Sequence, residues 1–211
     1  MMCSGSTSLL HYWVAGRPIP GQRESGDQFL VAALPDGALV AVVDGLGHGK
    51  EACAAAKRAI ATLAAHAHEP ILSLTQRCHD ELKRTRGAVM TLASFDGVSS
   101  TLTWLAIGNV EGVLLRATTQ DKKVSVVPRG GILGHRLPAL AAATVPVCPG
   151  DFLIFATDGI GSAFTRELRH VERPQQLVNQ IFYTHARTTD DALVLGVQWM
   201  DGKSQSTGAH C

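Results

Sequence analysis

Apolar, β-branched runs in this chain repeatedly begin or end at an aspartate: Asp27 in SGD, Asp44 in VVDG, Asp158 in FATDG, and the Asp190-Asp191 pair that opens DDALVLGV. Such runs form strands buried in a core, and an unpaired carboxylate at the end of a buried strand is costly to desolvate. A fold for this chain must therefore bring these strand ends to water, to donors or to a shared cation. Several carboxylates converging on one cation would account for all of them together.

The order of elements limits the fold class. A β-like run, Ser8 to Val14, precedes the Pro/Gly-rich connection GRPIPGQRESGD, and FLVAAL and ALVAVV then flank Pro35-Asp36-Gly37 as a hairpin. EACAAAKRAIATLAAHAH, rich in alanine and free of internal Gly and Pro, reads as a helix, as does Pro70 to Arg84 with Ile71, Leu74, Cys78 and Leu82 on one side. AVMTLASFD, STLTWLAIG and GVLLRAT read as a meander of antiparallel hairpins, and ATVPV with DFLIFAT as a further hairpin. Pro174 to Ala186 has helical spacing, and ALVLGVQW is a last strand. Strands, two helices, many strands, a helix and a strand make an α+β pattern, which a layered sandwich with antiparallel sheets inside and helices outside accommodates. A single domain over 8–200 is expected, with flexible tails at 1–7 and 201–211.

Composition excludes several functions. Nineteen basic residues against eighteen acidic ones give a net charge of +1, and the basic residues are scattered, which argues against nucleic acid as a partner. Five dispersed cysteines without a C-x-x-C pair fit neither a zinc knuckle nor a disulfide framework and point to a reducing cytoplasm. No apolar run reaches membrane-spanning length, so no membrane partner is expected.

Asp44-Gly45-Leu46-Gly47-His48-Gly49 stands between a strand and a helix. Its G-x-G-x-G spacing is one residue short of a dinucleotide fingerprint, and it lacks the spacing and the Ser/Thr of a P-loop. Two readings stay open: Asp44 caps the alanine-rich helix, or it is a metal ligand beside glycines that allow close approach, with the Gly45 carbonyl as a second ligand. Asp158-Gly159 and Asp190 repeat the pattern at other strand ends, which favours the metal. Oxygen-only ligands select Mg²⁺ or Mn²⁺, ions suited to phosphate chemistry that needs no protein nucleophile.

Taken in order, RESGDQFL, VVDGLGHGKEA, RGAVMTLASFD, LTWLAIGNVEG, GGILG, DFLIFATDGI and DDALVLGV resemble the metal-dependent PPM (PP2C-like) serine/threonine phosphatases, and within them the SpoIIE-like branch. The resemblance covers nearly the whole chain. It implies an αββα four-layer sandwich of two mainly antiparallel sheets flanked by helices, with a binuclear Mn²⁺ or Mg²⁺ centre and no large flap subdomain. By the same resemblance Asp44 bridges the two ions, the Gly45 carbonyl binds one, Asp158 and Asp190 hold the other, and Asp27 lies behind them or binds through water. Asp191 stands where the family often has Asn, so it orients its neighbour or coordinates an extra ion. Water bridging the ions would attack phosphoserine or phosphothreonine in line.

Within the branch, the short chain is most similar to stand-alone phosphatases that reset a bacterial stressosome. That implies a cytoplasmic monomer whose partners are phosphorylated STAS-domain proteins. Two alternatives are a phosphatase of an anti-anti-sigma factor and a non-catalytic domain that binds phosphoproteins; the complete aspartate set argues against the second. The chain departs from many eukaryotic members, which carry a His where Leu46 stands. His48 is then a candidate general acid, or a helix-start histidine bonded to backbone. Arg17 and Arg23 are candidates for holding phosphate, or simply solvated.

Overall fold

Ala38 to Val43 is apolar at every position, so the strand it forms needs cover on both faces. In the computed structural model, which describes residues 1–118, 123–168 and 173–200, it has both. Twelve strands are found among the described residues: β1 (Met2–Ser6), β2 (Leu10–Arg17), β3 (Asp27–Leu34), β4 (Gly37–Gly45), β5 (Ala88–Asp96), β6 (Thr101–Ile107), β7 (Glu111–Leu115), β8 (Lys123–Ser125), β9 (Pro128–Arg129), β10 (Ala143–Pro146), β11 (Phe152–Ala156) and β12 (Ala192–Trp199). The helices are α1 (Lys50–Ala65), α2 (Ile71–Leu82), α3 (Phe164–Glu167) and α4 (Pro174–His185).

One sheet runs β1-β2-β12-β11-β7-β8 and the other β10-β6-β5-β4-β3, with β9 parallel to β6. Every other pairing is antiparallel. Strand alternation sorts the side chains into layers. Val40 and Val42 of β4, Leu153 and Phe155 of β11, and Leu193, Leu195 and Val197 of β12 meet between the sheets. Leu39, Ala41 and Val43 face the opposite way, onto Ala55, Ala59 and Leu63 of α1 and Leu74, Cys78 and Leu82 of α2. On the far side, Ile154 and Val194 pack against Val178, Ile181 and Phe182 of α4. Phe95 and Trp199 stack across the inter-sheet gap with ring centroids 5.3 Å apart, a contact worth about 1 kcal/mol beyond its buried area. The result is the expected αββα sandwich.

Three local expectations are corrected. Residues 2–6, taken as part of a flexible tail, pair with residues 11–15 on the outer edge of β2, because that edge offers unpaired backbone groups. The tail at 201–211 lies outside the described residues. β5 and β6 form the expected hairpin, but β7 leaves that meander for the other sheet. The chain turns the corner at Gly108, whose positive φ of 93° and close approach to Val89 suit glycine. β10 and β11 likewise part company: exposed β10 is an edge strand on β6, while fully buried β11 sits between β12 and β7. A strand buried on both faces gains most from neighbours on both sides, and the Pro146 end of β10 suits an edge.

Among the described residues, no helix is long and apolar enough to cross a membrane.

Candidate metal centre

The alternation that builds the inter-sheet core also delivers the aspartates. Asp44 shares parity with Val40 and Val42, Asp27 with Phe29 and Val31, Thr157 with Leu153 and Phe155, and Asp191 with Leu193 and Leu195, so each points into the space between the sheets at one end of the sandwich. In the β3–β4 register Asp27 and Asp44 are direct cross-strand partners. Like charges in that position destabilise a sheet unless something lies between them.

Burial, then the surrounding carboxylates, pushes the Asp44 carboxyl up to about 9. Burial is also the main cause that pushes Asp27 up to about 8, opposed by a hydrogen bond from Thr157 and reinforced by Asp191, Asp158 and Asp190. Asp190 is raised for the same leading reason, with His48 acting in the opposite sense. Each of three carboxylates has one oxygen held by a neighbour. Thr157 Oγ1 donates to Asp27 Oδ2 at 2.7 Å, Asn109 Nδ2 to Asp158 Oδ2 at 2.7 Å, and the Asp191 amide to Asp190 Oδ1 at 2.9 Å. Only burial and like charge act on Asp44, with no donor among the described residues.

Asp191 differs from the others. Both of its oxygens accept backbone amides at 2.6 Å, Oδ1 from Ile19 and Oδ2 from Gly26.

Glycines admit close backbone packing here. A Cβ at Gly45 would collide with the Ala52 carbonyl in the first turn of α1, and one at Gly159 with the Asp191 carbonyl. A Cβ at Gly26 would lie 3.2 Å from both the Gly45 carbonyl oxygen and Asp191 Oδ2, so that carbonyl lies near the Asp191 carboxylate. Arg86 lies against Gly47 and pairs with Glu51, bracing the DGLGHG turn.

This donor set fits a hard divalent cation. It consists of oxygens only, and three of its carboxylates each leave one oxygen free of the hydrogen bonds just named. Among the described residues no three Asp, Glu, His or Cys side chains already form a closed cage. Mutual repulsion keeps uncompensated carboxylates apart, and a centre completed by a backbone carbonyl and water needs fewer side chains.

His48 and Arg23 are both exposed. Arg17 is half-buried and donates to the Arg187 carbonyl at 2.5 Å. Arg17, Pro18, Arg23, Ser25, Gln28 and Phe29 help line a cleft of about 240 Å³ that reaches Asp27. His66 and His185 pair with Glu69 and Glu167, and His135 with the Arg86 carbonyl. Cys53 is buried in α1. Sequence reasoning missed Thr157 and Asn109. Thr157 was legible from its parity with Phe155, whereas Asn109 lies in a turn that says nothing about Asp158, 49 residues away.

Comparisons with known proteins find the same fold and a matching family. The family model described as Stage II sporulation protein E (SpoIIE) matches residues 35–200. The phosphoserine phosphatase RsbX of Bacillus subtilis (strain 168) is 26% identical over 181 residues, covering 83% of this chain and 88% of the relative. A crystal structure of RsbX in complex with magnesium has a TM-score of 0.82 at 22% identity, covering 94% of this chain and 100% of that one. A chain from work on the bacterial stressosome as a modular system adapted to control secondary messenger signaling has a TM-score of 0.79 at 29% identity, covering 90% and 99%.

Proposed function

The chain belongs to the SpoIIE family of PP2C-like phosphatase domains, and from that premise we propose that it hydrolyses phosphoserine or phosphothreonine on STAS-domain proteins of a stressosome, using two bound Mn²⁺ or Mg²⁺ ions. One observation carries the reading: Asp27 and Asp44 face each other across adjacent strands of one sheet while Asp158 and Asp190 enter from the other, all within electrostatic reach of Asp44. A sheet that keeps directly opposed carboxylates has a use for them. Similarity to the phosphoserine phosphatase RsbX and to a stressosome chain supports the substrate class.

Asp44 and the Gly45 carbonyl would hold the ions from one sheet, and Asp158 and Asp190 from the other, with Asp27 behind them. Bound there, such ions supply Lewis-acid polarisation of the phosphoryl group and activation of water. Thr157, Asn109 and the Asp191 amide keep the three supporting carboxylates in fixed orientations, so little reorganisation accompanies the reaction. His48, exposed and close enough to lower the Asp190 carboxyl, would be the general acid that returns a proton to the departing serine or threonine oxygen. The cleft beside Asp27 is small, so selectivity for a protein substrate comes from docking on the surrounding surface. In this reading the enzyme is a cytoplasmic monomer with neither nucleic acid nor membrane as partner.

Hydrolysis of p-nitrophenyl phosphate should require Mn²⁺ or Mg²⁺, stop with EDTA and fall to background in Asp44→Asn and Asp158→Asn, with circular dichroism unchanged. Metal-independent turnover would refute the mechanism. Phosphorylated STAS proteins should be dephosphorylated faster than unrelated phosphopeptides; equal rates would remove the stressosome assignment.

A further inference from the structure

Asp191 is 3% exposed and stands between Asp190 and the first residue of β12, with its carboxylate reaching past the end of β2 into the β2–β3 connection. Its two oxygens reach 172 and 165 residues back along the chain to the amides of Ile19 and Gly26, each at 2.6 Å. These amides lie at the two ends of the connection between β2 and β3, which is otherwise closed locally by a turn in which the Gln22 amide donates to the Ile19 carbonyl at 3.0 Å. The same connection carries Arg23 and runs directly into Asp27.

Gly26 continues the chain of contacts. Its carbonyl accepts the Gly45 amide at 3.1 Å, so Asp191, Gly26 and Gly45 form one hydrogen-bonded relay from the β12 end of one sheet to the Asp44-Gly45 end of the other. Around it, the Asp191 amide fixes Asp190, and Arg17 ties the end of β2 to the Arg187 carbonyl just before β12. Three segments bearing candidate ligands, from both sheets, thus meet at one side chain.

We propose that Asp191 is a positioning residue, a two-ended clasp that spends both oxygens on the Ile19 and Gly26 amides and thereby sets the spacing of Asp27, Gly45 and Asp190, without itself binding an ion. An aspartate suits this task because it can accept at both oxygens, whereas an asparagine accepts at one. Short bonds from amides to a buried carboxylate are charge-assisted and strong. The part of this inference that concerns metal rests on the function proposed above.

The test reads backbone and metal separately. In metal-free protein, hydrogen exchange of the Ile19 and Gly26 amides should quicken by about tenfold or more in Asp191→Ala, the shift that loss of one strong hydrogen bond brings. In Asp191→Asn, which keeps the shape and guards against misfolding, one of the two amides should quicken and the other stay protected. Binding of Mn²⁺ alone, by titration calorimetry, should weaken about 10–100-fold in Asp191→Ala and less in Asp191→Asn, the usual effect of removing a group that orients metal ligands. Saturating Mn²⁺ should then restore kcat on p-nitrophenyl phosphate in Asp191→Asn. Unchanged exchange at both amides in Asp191→Ala, or faster exchange with unaltered Mn²⁺ affinity, overturns the clasp. If wild-type protein binds no Mn²⁺, the proposed function falls with it; if wild type binds and the variants behave like it, only the clasp falls.

Discussion

Asp151 immediately precedes β11, the strand that leads to Asp158, and replacing it should be among the most destabilising single changes in the chain. Its side chain is fully buried and accepts Arg116 Nη1 at 2.8 Å, the Ala117 amide at 2.8 Å and the Cys148 amide at 3.0 Å. Asp151→Ala leaves two amides without their acceptor and the largely buried Arg116 guanidinium with the Pro146 carbonyl but without its counter-charge. Breaking a buried ion pair from one side costs about 3–5 kcal/mol, and the orphaned amides place this change towards the upper end. Arg116→Met removes the cation but leaves the carboxylate both amides, so it should cost about half as much. In urea denaturation with EDTA present, Asp151→Ala should lower stability by about 4 kcal/mol, or Tm by roughly 8–16 °C for a chain of this size. Mn²⁺ affinity of the folded variant should be unchanged, because β12 and β7 hold β11 on both sides up to its Asp158 end. An Asp151→Ala cost below about 1 kcal/mol, or an Arg116→Met cost equal to it, would refute the reasoning.

Two further outcomes follow from the centre. Burial raises Asp44 to about 9 and Asp27 to about 8, so the metal-free native state keeps protons that the unfolded chain releases above about pH 4. The stability these groups allow is complete below that pH and is lost as pH rises through the folded values, at about 1.4 kcal/mol per unit for each proton retained. Thermal unfolding in EDTA should therefore show Tm falling from pH 5 to 8.5 more steeply in wild type than in Asp44→Asn, and parallel profiles would contradict the burial of the Asp44 charge. Asn109 is exposed and donates to Asp158, so Asn109→Ala should leave stability within about 0.5 kcal/mol while weakening Mn²⁺ binding about tenfold by calorimetry. Unaltered affinity would show that the amide does not orient Asp158.

Elements and chemistry were legible to different depths in the sequence. Helices α1 and α2, the β3–β4 hairpin and β12 follow from local period and turn chemistry, because helix and hairpin bonds join residues near in sequence. The aspartates could be singled out for a similar local reason: a carboxylate ending an apolar strand is anomalous wherever that strand goes. Strand parity even carries Asp27 and Asp44 to the same face once their register is known.

The partners of each strand and of each carboxylate were not local. β7 and β10 read as members of hairpins, yet their apolar content suits either sheet, and only closure of the whole inter-sheet core assigns β7 to β11 and β10 to β6. Asp191 read as an ion ligand or a support for Asp190. Its two amide acceptances depend on a loop that begins 172 residues earlier being brought beneath it by the β2–β12 pairing. Sequence by itself determined which groups are too polar to be left alone in a core; tertiary structure decided what each of them meets, because hydrogen-bond partners across a sandwich are selected by sheet order and register, which no single strand encodes.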